Sequence, residues 1–79
     1  MAEKLTIIYD NIGDILYINT CSPYLGQNSE EIEENVIARL NPKTEAIENL
    51  EILFFSQWIQ NSQPLDLPLV ADLHLSLKT

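Results

Sequence analysis

Two short segments near the start of the chain have the apolar alternation that is typical of β-strands. They are residues 5–9 and residues 15–18, and both are rich in β-branched and aromatic side chains. Residues 10–14 separate them and contain two aspartates, an asparagine and a glycine, which favour a turn. The pattern predicts a β-hairpin with a four- or five-residue loop. Because both strands are apolar on both sides, we expect them to be covered on both faces or to lie at an interface.

A second hairpin is predicted farther along the chain. Residues 36–40 alternate as one strand, and residues 46–54 alternate as its partner, with the larger apolar residues on one side. Residues 41–45 include Pro42, whose fixed φ suits a turn. The two hairpins together predict at least four antiparallel strands.

The acidic segment 30–34, in which four glutamates surround Ile32, permits two interpretations. A short helix with Asn28 or Ser29 as its N-cap is consistent with carboxylates in a first helical turn. A strand instead places Ile32 inward and starts the following strand early. Residues 20–35 would be long for a structureless stretch in so small a domain, so we expect one of the two.

At Phe55 the apolar spacing changes from two residues to three and four. Phe55, Trp58 and Ile59 fall on one helical face, which predicts a short helix over residues 55–61 that lies back on the sheet. Ser56 suits the start of this helix.

The last segment, residues 63–79, alternates strictly and is predicted to be extended, with Pro68 favouring an edge or an extended start. Leucines line one side of it, and they cannot stay in water without an aggregation cost. They either cover their own sheet or cross to a second subunit, and we adopt the second hypothesis. The candidate interface residues are Trp58, Leu69, Leu73, Leu75 and Leu77.

These elements predict an α+β fold. It consists of a small antiparallel sheet of at least four strands, one short helix packed on the sheet and an extended C-terminal tail. We expect residues 1–62 to form a single domain and residues 63–79 to form the tail. For a chain of 9.0 kDa the scaling of folded proteins predicts an accessible surface of about 4,850 Å².

The first hairpin also carries a motif, Tyr-Asp followed by Asp-x-Leu-Tyr-Ile. The motif resembles the opening of a family of small bacterial proteins, domain-of-unknown-function family 2283, and the resemblance covers roughly residues 5–56. The chain differs from the family around the second hairpin, where Glu45, Ala46 and Asn49 replace the usual glycines. The resemblance implies a small antiparallel α+β fold and no activity, because the family has none assigned. The motif residues are Tyr9, Asp10, Asp14, Leu16 and Tyr17.

The charge balance limits the classes of partner that the chain is expected to bind. Twelve acidic and four basic residues give a net charge of −8. The basic residues are too few and too scattered for nucleic acid, and anionic membrane surfaces repel the chain. A basic protein would be attracted, and an acidic antidote to a basic toxin-like partner is one version, although acidity is also a common solubility device. No segment is long and apolar enough to cross a membrane, and we expect the cytoplasm as the location.

Few residues are candidates for catalysis or for metal binding. Cys21 and His74 are each the only residue of their type, and no local signature marks them as a nucleophile and its base. Asp10 is expected to cap the first turn, and Asp14 to start the return strand. The glutamates of segment 30–34 lack the spacing and the glycine of a calcium loop. We therefore expect no catalytic residues, no metal site and no cofactor.

The leading hypothesis is a non-enzymatic protein-interaction module that acts as a homodimer. The alternative is a small-ligand or divalent-metal-binding protein that uses segment 30–34. An enzyme whose site forms only at a dimer interface is a third class, and no group of residues supports it.

Overall fold

A single antiparallel sheet followed by one helix makes up the folded part of the protein. The structure, a computed structural model, describes residues 4–73 and 75. The order across the sheet is β1-β2-β5-β4-β3, so β5 is central, and β1 and β3 are the edges. The predicted α+β fold is confirmed, with five strands. The elements are β1 (Thr6–Asp10), β2 (Ile15–Asn19), β3 (Asn28–Glu33), β4 (Val36–Leu40), β5 (Ile47–Leu53) and α1 (Phe55–Asn61).

Both predicted hairpins are present, and the acidic segment adds a third. Its residues belong to β3, which pairs antiparallel with β4 across the turn formed by Glu34 and Asn35. Asn35 has a φ of 62°, a left-handed conformation that asparagine tolerates in tight turns. The helical interpretation is therefore wrong. The strand interpretation is confirmed in placing Ile32 inward, since Ile32 is half-buried, but β3 is a separate strand.

The core lies on one face of the sheet. The strand register places Val36 of β4 opposite Ile52 of β5, and Ala38 lies on the same face. These three are the buried apolar residues among those described. Tyr9 of β1 projects from this face, and its ring lies 5.8 Å from the ring of Phe55, the first residue of α1. We call this side of the sheet the helix face and the other side the open face.

The helix begins and ends at the predicted residues, but two of its residues differ from expectation. Ile59 is 64% exposed, because seven residues make only two turns, whereas Phe55 and Trp58 are half-buried. Ser56 is not the N-cap. That position belongs to Phe54, which has a φ of 54° and provides no side-chain cap. No helix in the described part of the chain is long and apolar enough to cross a membrane.

The tail forms neither a strand nor a helix within residues 63–73 and 75. Pro64 and Pro68 interrupt this segment, and a proline has no backbone N–H to donate to a neighbouring strand. The burial of its leucines changes along the tail. Leu65, Leu67 and Leu69 are half-buried, whereas Leu73 and Leu75 are exposed, and Leu77 lies outside the described residues.

The folded chain exposes more surface than its size predicts. Its accessible surface is 6417 Å², about 1,600 Å² more than the scaling of folded proteins gives. Part of the excess is β1, whose residues from Thr6 to Tyr9 are all exposed. Of the two alternatives expected for the first hairpin, cover on both faces is therefore wrong for β1 within one copy of the chain, and a place at an interface stays a prediction.

We expect Val36→Ala to lower the free energy of unfolding by about 2 kcal/mol, because it leaves a cavity at a fully buried position. The matched control is Val70→Ala, since Val70 is fully exposed. Urea denaturation followed by circular dichroism measures both. Equal losses in the two variants would contradict the placement of the core.

Candidate functional site

Three polar side chains meet where the β1–β2 turn touches the start of α1. The carboxylate of Asp14 accepts a hydrogen bond from the Tyr9 hydroxyl at 2.7 Å. It also accepts bonds from the backbone N–H of Ser56 at 2.9 Å and from the Ser56 hydroxyl at 2.6 Å. We call Tyr9, Asp14 and Ser56 the Asp14 cluster. Because Phe54 offers no side-chain cap, Asp14 satisfies a free N–H of the first helical turn from outside the helix.

The local sequence explains how Asp14 reaches the helix. The side chain of Asp10 accepts hydrogen bonds from the backbone N–H groups of Ile12 and Gly13, at 3.0 and 3.2 Å, which confirms that Asp10 caps this turn. A Cβ on Gly13 would lie 3.0 Å from the Asp10 carboxylate, so the tight turn favours glycine there. Asp14 has a φ of 58°, which turns the chain into β2.

Hydrogen bonds determine the ionisation states of the groups in the Asp14 cluster. The hydroxyl of Ser56 is the largest cause that lowers the pKa of Asp14, followed by the hydroxyl of Tyr9 and the backbone N–H of Ser56. The hydrogen bond to Asp14 is in turn the largest cause that raises the pKa of Tyr9. At neutral pH Asp14 is therefore a carboxylate held by protonated donors. A carboxylate with a lowered pKa is a poor general base.

The other two motif residues do not join this cluster. Leu16 pairs with Tyr9 and with Ile52, so it lies on the helix face. Tyr17 pairs with Glu51 and lies on the open face. The structure thus brings Tyr9 and Asp14 together and separates Leu16 from Tyr17.

A second polar cluster lies at the opposite end of β5. The register between β4 and β5 shifts between Arg39 and Leu40, which leaves Glu48 as an extra residue in β5. Glu48 and its neighbour Asn49 consequently both reach the side-chain amide of Gln27. The Gln27 N–H groups donate to Glu48 at 3.0 Å and to Asn49 at 2.7 Å. Tyr24, Gln27, Glu48 and Asn49 form what we call the Glu48 cluster.

Glu48 collects further donors within this cluster. The Tyr24 hydroxyl donates to it at 2.7 Å and the Asn41 amide at 3.3 Å. The Gln27 amide is the largest cause that lowers the pKa of Glu48, with the Tyr24 hydroxyl next. The hydrogen bond to Glu48 raises the pKa of Tyr24 to about 12. This carboxylate is also held by fixed donors.

Asn49 anchors the Glu48 cluster to the sheet. It is 1% exposed and is the buried polar residue among those described. Its amide donates to the Asn19 side chain at 3.0 Å and to the backbone carbonyl of Cys21 at 2.7 Å. An unmade bond at so buried an amide would be costly, so these contacts fasten the loop after β2 to β5.

The remaining candidate residues are dispersed. Cys21 is exposed, and His74 lies outside the described residues. Three of the four glutamates of segment 30–34 lie along the edge strand β3. Among the described residues no three His, Cys, Asp or Glu side chains are arranged to hold a metal ion. The expectation of a basic protein partner stays a prediction.

No family model matches the chain, and the searches of curated proteins and of solved structures found no match either. The resemblance to domain-of-unknown-function family 2283 therefore stays a prediction.

Sequence reasoning did not foresee that Ser56 and Asn49 are tied to distant partners. For Ser56 a signal existed, because Ser56 ends the last segment to which the family resemblance extends, and Asp14 belongs to its opening motif. For Asn49 the residue type alone gave no signal.

We expect Asp14→Asn to destabilise the protein at neutral pH, because it removes the charge that accepts three hydrogen bonds. The pKa of Asp14 is lowered on folding, so its contribution is present above the ordinary carboxyl pKa of about 4 and is lost as the pH falls through the folded value. The stability difference from the unaltered chain should therefore close below about pH 4. Thermal unfolding across pH measures it, with Asp72→Asn on the exposed tail as the matched control. A difference that persists in acid would show that shape rather than charge matters.

We expect Glu48→Gln to move the pKa of Tyr24 from about 12 back toward 10, because it removes the carboxylate that accepts a hydrogen bond from the Tyr24 hydroxyl. Because folding raises the pKa of this tyrosine, its hydroxyl stabilises the fold below about pH 10. This stabilisation is lost as the pH rises through the folded pKa. Alkaline titration of tyrosinate absorbance measures the shift. Glu45→Gln is the control, since Glu45 is an exposed turn residue. An unchanged titration curve in Glu48→Gln would refute the contact.

Proposed function

We propose that the protein is a non-enzymatic interaction module that acts as a homodimer. The observation that carries the proposal is the apolar surface that one copy leaves exposed. Leu73 and Leu75 of the tail are 82% and 89% exposed, and the apolar residues of β1 are exposed as well. Large exposed apolar patches on soluble proteins mark interaction sites, and these two groups of residues are the candidates in this chain.

The polar clusters support a role without catalysis. In the described part of the chain the groups with shifted pKa are Tyr9, Asp14, Tyr24 and Glu48, and each is engaged in hydrogen bonds that connect a loop or the helix to the sheet. Catalytic groups are instead found at clefts with access to a substrate. The alternative of a metal-binding protein that uses segment 30–34 stays a prediction, and the separation of its glutamates along β3 offers it no support.

Light scattering on the full chain tests the proposal. We expect a mass of about 18 kDa, twice the 9.0 kDa of one chain, and a shift toward the monomer in the variant Leu73→Ser with Leu75→Ser. Val70→Ser is the matched control, because Val70 is a fully exposed apolar residue of the same tail. A mass of one chain at all concentrations would overturn the proposal. A dimer that the tail variant leaves unchanged would exclude Leu73 and Leu75 from the interface.

A further inference from the structure

We propose that β1 is the surface on which the second copy docks. The β1 strands of two copies pair antiparallel about a two-fold axis at Ile7, and the two sheets become one continuous sheet. This inference rests on the proposed homodimer and adds β1 to the interface for which the tail residues Leu73 and Leu75 are candidates.

The exposed side of β1 has the chemistry that strand pairing needs. Among residues 4–73 and 75, β1 is an edge strand, so one row of its backbone N–H and C=O groups has no partner strand there. Residues 5–9 carry no charge, and β-branched side chains such as Ile7 and Ile8 favour strands. Ile7 is 62% exposed and Ile8 is 49% exposed. Such an uncharged, apolar edge is a template for another strand.

The other edge of the sheet has the opposite chemistry. The strand β3 carries Glu30, Glu31 and Glu33, and it is exposed at most of its positions. Two copies that met at β3 would bring these carboxylates close together, and like charges on adjacent strands destabilise the pairing. Charge on an edge strand is a common way to block such pairing. Of the two edges, only β1 accepts a second copy of the same chain at neutral pH.

Charge complementarity selects the register. In an antiparallel pair, residues lie directly opposite each other in alternating hydrogen-bonded and non-bonded pairs. When two copies of one strand pair about a two-fold axis, the axis therefore passes between one residue and the same residue of the other copy. With Ile7 on the axis, Lys4 of each copy faces Asp10 of the other. With Ile8 on the axis, Asp10 faces Thr6 instead, and Lys4 is shifted toward the β1–β2 turn. The first register pairs opposite charges at both ends of the shared ladder, which stabilises it.

The same axis keeps the two helix faces on one side of the joined sheet. Tyr9 lies on the helix face, and alternation places Leu5 and Ile7 there with it. In the register about Ile7, Leu5 of each copy faces Tyr9 of the other. These side chains are 51% and 46% exposed in one copy, so the pairing extends the apolar face across the axis.

Disulfide trapping tests both the surface and the register. The background is Cys21→Ser, which removes the cysteine of the natural sequence. Directly opposed residues in an antiparallel pair have Cα atoms about 4.5–5.5 Å apart, which suits a disulfide. We therefore expect Ile7→Cys to form a cross-linked dimer on mild oxidation. Ile8→Cys should not, because its counterpart is displaced by two residues and lies beyond the roughly 7 Å limit.

A charge variant provides an independent readout in the full chain. Ile7→Lys places two ammonium groups against each other on the axis, and we expect it to shift the light-scattering mass to that of one chain. Ile12→Lys is the matched control, since Ile12 is 95% exposed and lies in the turn beyond the proposed ladder. Circular dichroism confirms that both variants remain folded.

The outcomes separate this inference from the proposed function. A monomeric unaltered chain overturns both. A dimer that survives Ile7→Lys and gives no cross-link in Ile7→Cys leaves the homodimer standing and overturns β1 as its surface. A cross-link in Ile8→Cys alone overturns the register about Ile7. A cross-link in Ile7→Cys together with a monomeric Ile7→Lys variant supports the inference in full.

Discussion

One short helix has to cover a five-stranded sheet, and this mismatch governs the rest of the structure. Seven residues of α1 make a cylinder about 10 Å long, whereas five strands span about 19 Å across the sheet. The contacts of the helix lie beside β1 and its turn, where Phe55 packs near Tyr9 and Ser56 bonds to Asp14. The rest of the sheet depends on loops, on the tail or on another molecule for cover.

Polar contacts provide part of the stabilisation that a larger core would provide. The Asp14 cluster fastens the β1–β2 turn to the start of α1, and the Glu48 cluster fastens the loop after β2 to β5. They lie at opposite ends of the central strand, so each end of the sheet is held by a carboxylate with several donors. These same bonds occupy the groups whose pKa values are shifted. The shifted pKa values therefore have their cause in the contacts that connect a loop or the helix to the sheet.

Periodicity predicted the elements in which one face is buried and failed where burial is absent. It located β2, β4, β5 and the helix over 55–61, which have a covered side. The strand β1 was located by its β-branched and aromatic residues, although Thr6 to Tyr9 are exposed. The strand β3 was ambiguous because charged residues fill both of its faces, so no alternation marks it. The contact between Asp14 and Ser56 joins residues 42 positions apart, and its geometry depends on the left-handed conformations of Asp14 and Phe54. Spacing alone carries no such information.

The location of the acidic residues gives the net charge of −8 a structural use. A sheet with two open edges can grow from either one, and growth from both leads to fibres rather than to a closed pair. In the proposed dimer, the glutamates along β3 disfavour pairing at that edge by like-charge repulsion. The proposal leaves the uncharged β1 as the edge that a second copy joins, and a two-fold pairing there uses it up. Under this proposal, acid placed on β3 limits growth beyond a dimer, and this use of the charge is independent of a basic partner.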